Sequence, residues 1–416
     1  MIAADPPLPP RPTPSGPFAG PPGHGAPSAS VPAPIRVEPG RDRAASSIPA
    51  DPLADRARKV VREYRVDGKR IFPNAYLAPM SGVTDLPFRR LISRLSGGRT
   101  GLLVSEFITV EGLTRLNPRI CRQMAFMPEE RPFTVQIYGG EADRMAWGAS
   151  MVEEAGADFV EINCGCPAPK IVRKGGGSGL LRDLGNLREI LARVKQAVKI
   201  PVTVKVRVGW AEDQINLLET QQVVEGEGAA ALVIHGRTRQ QGYKGLANWD
   251  LIALAKSRGR IPVIGNGDIL KVEDVIDKLE KYGVDGVAVG RGAMHNPWLF
   301  GQIADLYEGK APREPSLDEH KSLFDEYHGL LREEMDIEGR VLGKLKQMAA
   351  RVLKCLPNAK GGRTDVLRSQ SRAEFFDNLH KLLDSIEDYR GRTLEAVREL
   401  NGKDATEVEF GRDYKN

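Results

Sequence analysis

Cysteine is scarce in this 416-residue chain: Cys121, Cys164, Cys166 and Cys355 are the four present. That is too few for a disulfide framework, and a reducing, cytoplasmic setting is expected. Cys164 and Cys166 form a C-x-C pair, which alone cannot fill a tetrahedral metal site. No cluster of histidines and carboxylates has ligand spacing either, so no metal is expected. No apolar run approaches the roughly 18 residues that span a bilayer, so neither a transmembrane helix nor a membrane partner is expected. A glycine-rich dinucleotide fingerprint is missing after the first β-rich run. Pro79-Met80-Ser81-Gly82 stands there instead, which argues against an open doubly wound sheet. Neither charge dominates: the net charge of +5 is by itself a weak pointer to a polyanionic partner.

What is present falls into four stretches. Residues 1–52 hold 15 of the 29 prolines, with much Gly, Ala and Ser. Such a segment cannot bury enough apolar surface to offset its ordering entropy and is expected to be disordered. It has no charged start followed by an apolar core, so it is a poor secretory signal, and its sparse arginine disfavours an organellar transit peptide. From Ile71 onward, β-rich apolar runs recur at Ala75–Met80, Leu102–Ile108, Phe133–Gly139, Phe159–Cys164, Val202–Val208, Ala231–Gly236, Pro262–Gly267 and Gly286–Gly290. Helix-like segments such as Arg144–Glu154, Leu187–Val198 and Asp274–Tyr282 separate most of them. Eight continuous runs alternating with helices predict an α/β chain folded as a (β/α)8 TIM barrel over residues 53–310.

Beyond the barrel the β signal stops. Leu342, Leu345, Ala349, Val352, Leu353 and Leu356 recur at helical spacing, as do Phe375, Phe376, Leu379, Leu382, Leu383 and Ile386. They predict a C-terminal α-helical domain over residues 311–402, followed by a tail at 403–416. Between Gly339 and Ala373 stand nine Lys or Arg, Lys344, Lys346 and Arg351 among them, against one acid, Asp365. This skew favours a surface for phosphate backbones over a merely solvated helix face.

In such a barrel the strand C-termini and the loops after them build the active site. Here nearly every strand delivers a polar residue to that end: Met80-Ser81, Glu106, Gln136, Asn163 to Cys166, Lys205 and Arg207, His235 to Arg239, Asn266-Gly267-Asp268 and Gly290-Arg291. The glycines after the seventh and eighth runs, with Arg291, suit a phosphate cradle. A lysine at position 205, between apolar neighbours, needs a negative partner. A reduced flavin is one such partner, and a Schiff-base role is the rival. His235 suits phosphate or a flavin edge. A thiol in Asn163-Cys164-Gly165-Cys166-Pro167, at the barrel mouth, can serve as a general acid.

Together these segments resemble the tRNA-dihydrouridine synthases. The matching stretches are Ala78–Arg89, Val135–Gly139, Glu161–Leu181, Pro201–Trp210, His235–Ile252, Pro262–Ile269 and Val289–Phe300, seven in the family's order. The resemblance implies reduction of the C5=C6 bond of a uridine in tRNA by bound FMN, itself reduced by NADPH or NADH. It implies FMN contacts from Pro79, Met80, Ser81, Gln136, Lys205, His235, Asn266, Gly267, Asp268, Gly290 and Arg291. It implies a uracil contact from Asn163 and proton donation by Cys166, the cysteine directly before proline, with Cys164 a bystander. Arg237, Arg239, Lys344, Lys346 and Arg351 are expected to bind the tRNA, and the protein is expected to be a monomer. Lys344-Leu345-Lys346-Gln347 departs from the Arg-Lys-His stretch common in bacterial members, which leaves the target position open. The runner-up is a dihydroorotate-dehydrogenase-like flavin enzyme acting on a free small molecule, which would not need the basic helical domain.

Overall fold

The computed structural model describes residues 52–356 and 359–386; the extension at 1–51 and the residues from 387 onward lie outside this range. Eight parallel strands close into a barrel: β1 Ala75–Leu77, β2 Leu103–Thr109, β3 Phe133–Tyr138, β4 Phe159–Cys164, β5 Val202–Arg207, β6 Ala231–His235, β7 Val263–Asn266 and β8 Gly286–Val289. β8 returns beside β1 in the register Val287↔Ala75, Ala288↔Tyr76, Val289↔Leu77. Helices follow the strands in turn: α1 Leu86–Leu95, the short α2 Val110–Thr114, α3 Ala142–Glu154, α4 Leu184–Ala197, α5 Leu217–Gly226, α6 Trp249–Arg258, α7 Val272–Tyr282 and α8 Leu299–Tyr307. The (β/α)8 expectation holds. The first strand stops at Leu77 rather than Met80. Ala78 still donates to the Val289 carbonyl, but Pro79 has no N–H to continue the ladder.

Strand residues alternate between the two sides of the barrel wall, so each strand sorts its own sequence. Val202, Val204 and Val206 join the shell between strands and helices, which leaves Thr203, Lys205 and Arg207 for the lumen. At the N-terminal end the lumen is apolar, with Tyr76, Val104, Phe159, Val233 and Ile264 in one cluster. An antiparallel hairpin, Tyr64–Val66 with Lys69–Ile71, plugs that end with Tyr64, Val66 and Ile71. This hairpin lies outside the eight expected runs, although Asp67-Gly68 signals it. Both residues have positive φ, 47° and 78°, as a two-residue turn matched to strand twist requires.

The C-terminal helices are α9 Leu317–Glu334, α10 Glu338–Val352, α11 Lys360–Arg368 and α12 Arg372–Ile386. The periodic apolar residues from Leu342 to Leu356 and from Phe375 to Ile386 are buried, apart from the partly buried Phe376. α9 starts with a capping box between Ser316 and Glu319 and lies along α1. Phe88 and Tyr327 meet edge to face at 6.5 Å, and Arg90 pairs with Glu333. No helix among the described residues is long and apolar enough to cross a membrane.

One buried ion pair anchors the loop after β1. The side chains of Arg89 and Glu130 are 1% and 0% exposed, with Nε to Oε1 at 2.7 Å. Arg89 also donates to the carbonyls of Thr84 at 2.9 Å and Ala125 at 2.6 Å, and its guanidinium lies 4.7 Å from the centre of the Phe133 ring. Removing one partner strands a charge in the core. Arg89→Met is therefore expected to cost about 3–5 kcal/mol in urea unfolding. A loss under about 1 kcal/mol would show that Glu130 finds another partner.

Candidate active site

The alternation along β4 separates the two candidate thiols. Val160, Ile162 and Cys164 belong to the shell against the helices, and Cys164 is 0% exposed. Burial pushes its thiol up, with Glu161 adding to the shift. Phe159, Glu161 and Asn163 have the opposite parity and face the lumen. Cys166 lies past the strand end, on a turn at the mouth, and is 9% exposed.

Several groups hold that turn. The Asn163 side-chain oxygen accepts from the backbone N–H of Gly165 at 3.1 Å and of Cys166 at 2.9 Å. The Cys166 carbonyl accepts from the Ser178 N–H at 3.0 Å and hydroxyl at 2.9 Å. Gly177, at φ 57°, passes so close that a Cβ there would lie 2.8 Å from the Cys166 oxygen. Burial raises the Cys166 thiol above its ordinary 9.0, against the opposing pull of the Ala168 N–H and Arg207. At neutral pH it is a protonated thiol, suited to proton donation and poorly suited to nucleophilic attack.

Across the mouth lies a concentration of positive charge. Lys205 donates to the Asn266 side-chain oxygen at 3.0 Å, and Asn266 donates to the Ala288 carbonyl at 2.6 Å. Burial lowers the Lys205 pKa, opposed by Glu161 one strand away; burial raises that of Glu161, opposed by Lys205. Arg207 ties loops together. It donates to the carbonyls of Gly165 at 2.8 Å, Thr238 at 2.9 Å and Gly242 at 2.9 Å. His235 stays neutral, because burial, followed by Arg207, Lys205, Arg237 and Arg291, holds it well below 6.5. Four cations thus surround one neutral imidazole, with Asp268 and Glu161 as the acids among them. A site so composed favours an anionic ligand.

The loops after β7 and β8 complete the concavity. Gly267 sits at φ 126°, where a Cβ would lie 2.6 Å from that of Ala247. Trp249, opening α6, donates to the Gly267 carbonyl at 3.0 Å and packs where a Cβ on Gly265 would stand, 2.2 Å from its ring. The glycines of this loop are therefore required by the backbone itself. Gly290 faces Met80, whose sulfur is 3.5 Å from the place of a Cβ on Gly290, so the first and eighth loops meet. Met80 is pinned by Thr84, through its N–H to the hydroxyl at 3.0 Å. Pro79 is half-buried beside it, and Ser81 is exposed.

Most expected residues converge here, and four of them have partners within the protein. Arg237 is 2% exposed. It grips Asp268 at 2.7 and 2.9 Å and donates to the carbonyls of Lys244 at 3.3 Å and Gly245 at 2.5 Å. Through these bonds it shapes the β6 loop. The Asp268 carboxylate, taken up by Arg237, Arg291 and the Ala247 N–H, is likewise internal. Lys344 does not lie on an open basic face. It reaches from α10 to Asp85 and to the Gly82 carbonyl, both at 2.6 Å. Gln136 is fully buried, with its amide between Glu161 and Asn163. Arg239 stacks 4.7 Å from the centre of the Trp210 ring. Lys346 and Arg351 are half-buried on α10, and Arg351 lies near enough to Arg291 for its charge to lower the Arg291 pKa.

Glu161, Tyr243 and Ser178 were not assigned from the sequence. Glu161 has the parity of Asn163, two residues on, and that signal was readable. Tyr243, 43% exposed, lies under the cations of Arg291 at 4.8 Å and Arg207 at 5.9 Å, an arrangement no local pattern encodes. Among the described residues no group of three or more His, Cys, Asp or Glu could hold a metal.

Residues 76–387 match the family model described as dihydrouridine synthase. A "Probable tRNA-dihydrouridine synthase" of Rhodobacter capsulatus is 39% identical over 280 residues, 67% of this chain and 85% of that one. A "Probable tRNA-dihydrouridine synthase 1" of Synechocystis is 40% identical over 260 residues, 61% of this chain and 72% of the other. A "tRNA-dihydrouridine synthase B" of Pseudomonas putida is 41% identical over 255 residues, 61% and 75% of the two chains.

The two thiols are expected to separate chemically. Followed by peptide mass spectrometry, iodoacetamide should label Cys166 in the native protein with a rate midpoint above pH 9.0 and leave Cys164 unlabelled until unfolding. A Cys166 midpoint below pH 8 would mark an activated thiolate and rule out the acid assignment.

Proposed function

The chain belongs to the dihydrouridine synthase family, and on that premise we propose that it reduces the C5=C6 bond of a uridine in tRNA, with FMN as the bound flavin and NADPH, or NADH, as reductant. The names of the relatives supply the substrate class. The observation that carries the reading is the placement of a protonated Cys166 at the mouth, among loops shared with the Lys205, Arg207, His235 and Arg291 cluster.

The residues suit a planar, phosphorylated group that gains negative charge on reduction. Lys205 and the neutral His235 would face its ring, where a cation stabilises developing charge at the N1–C2=O edge. Gly267, Gly290 and Arg291 would cradle its phosphate. When bound, FMN would supply the hydride from N5 to C6 of the uracil. Cys166 would give its proton to C5 of the pyrimidine, and Asn163 holds the turn that carries its thiol. A nucleotide must leave its stack to enter this mouth. Lys170, Arg173 and Lys174 are exposed in the short segment after Cys166-Pro167 and would meet the flanking phosphates. On the helical domain Arg340, Lys360 and Arg368 are exposed and would offer further phosphate contacts.

Two outcomes test this reading. Cys166→Ala is expected to keep bound flavin and lose about 100-fold or more of dihydrouridine formation, read by mass spectrometry of tRNA nucleosides. Cys164→Ala should stay close to wild type, and equal losses in both would overturn the assignment. Replacing Lys170, Arg173 and Lys174 by Gln should lower the slope of log Kd against log salt for tRNA by about two to three. An unchanged slope would move the backbone contacts elsewhere.

A further inference from the structure

Glu161 lies inside the barrel wall, 2% exposed, beside the charge of Lys205 and three hydrogen bonds away from the Cys166 backbone. Its surroundings form a chain of hydrogen bonds whose direction is determined at both ends. At one end stand the backbone N–H groups of Gly165 and Cys166, which can only donate, so the Asn163 side chain must turn its oxygen toward them. That leaves the Asn163 amide NH2 to point back, where it donates to the Gln136 oxygen at 2.7 Å. Gln136 must then present its own NH2 to the far side, and there it donates to Glu161 Oε1 at 2.6 Å. A carboxyl group is a suitable terminus, because even with burial raising its pKa to about 7 it keeps an oxygen that accepts from Gln136. The strand register sets the links side by side: Gln136 stands opposite Glu161 across β3 and β4.

We propose that Glu161 is a positioning residue of the reaction, acting through Gln136 and Asn163 to hold the turn that aims the Cys166 thiol. The proposal rests on Cys166 being the proton donor. An amide at Gln136 or Asn163 is symmetric enough in shape to flip, and a flipped Asn163 would face two backbone donors with an NH2 group. Three buried donors would then compete for no acceptor, and the turn would shift. The acceptor at position 161 removes that alternative. A buried carboxylate in a barrel lumen is costly. The neighbouring Lys205, whose charge favours the ionised form of Glu161, offsets part of that cost.

The test compares Glu161→Met, which removes the acceptor, with Glu161→Gln, which can still turn an oxygen to Gln136. Both are made in the full, flavin-loaded chain. Glu161→Met is expected to slow dihydrouridine formation about 10- to 100-fold, as loss of an orienting partner does. Bleaching of the flavin by NADPH should change far less, and Glu161→Gln should restore most of the activity. Without added flavin, peptide-mapped iodoacetamide labelling of Cys166 should change several-fold in the Met variant and stay near wild type in the Gln variant. The proposal is overturned if Met and Gln behave alike, or if flavin reduction falls as much as uridine reduction. Should Glu161→Met fail to fold, Gln136→Met cuts the same chain one link later; uridine reduction is expected to slow far more than flavin reduction, and equal falls in both, or wild-type uridine reduction, would overturn the proposal. A wild-type protein that forms no dihydrouridine would refute the underlying reading instead, before the variants are compared.

Discussion

Everything at the mouth follows from the closure of eight parallel strands, because closure gives every residue of the wall a side. A slip of one residue in any strand would move its whole polar set into the helix shell. In β5 such a slip would turn Lys205 and Arg207 into the helix shell, put Val202, Val204 and Val206 into the lumen, and strip the mouth of two of its cations. The register pairs that join Asn163 to Lys205 and His235 to Asn266 are therefore the origin of the chemistry as well as of the fold. The same constraint divides the lumen along its axis. Aromatic and branched residues fill the N-terminal half, where the hairpin of Tyr64 to Ile71 seals it, and charged groups collect at the open end.

That division explains which parts are legible in the amino-acid sequence. The strands announce themselves as apolar runs, and the polar residues at their C-terminal ends stand out against those runs. The seven stretches in family order then assign most of them. Glu161 escapes because it sits mid-run, where the eye expects an outward or buried apolar residue; counting by twos from Asn163 would expose it. Arg237 and Asp268 are visible as polar residues, but their mutual pairing spans 31 positions and depends on β6 and β7 being neighbours. The ion pair of Lys344 is hidden in the sequence for a related reason. A basic run on a helix says nothing about which of its members meets a carboxylate on another element. Only the docking of α10 on the loop after β1 shows that Asp85 is waiting for it.

Lys344 also joins two parts of the molecule that the composition suggests are separate. It binds the Gly82 carbonyl while the Gly82 N–H goes to the Glu106 carboxylate. The loop carrying Met80 and Ser81 is thus held from the barrel on one side and from the helical domain on the other. Burial, with the nearby charge of Asp85, raises Glu106, and Lys344 opposes that shift. The helical domain is consequently part of the architecture of the mouth, and its removal would unpin the first loop.

The opposing demands on the Cys166 thiol are settled by competition between burial and charge. An arginine beside a thiol ordinarily draws it toward the thiolate, and Arg207 does act in that direction. Burial is the larger effect here. Arg207 is itself desolvated, its pKa lowered to about 10, yet it remains a cation at neutral pH. Its donors are divided among three carbonyls on two loops, which holds the charge in place to support the loops. A fixed cation whose hydrogen bonds are all internal offers the sulfur a field and no direct donor. The mouth is therefore strongly positive on one side while the Cys166 thiol stays protonated a short way off, on a turn held by Asn163 and Ser178. Two groups of opposite requirement share one mouth because the barrel assigns them to different strand ends.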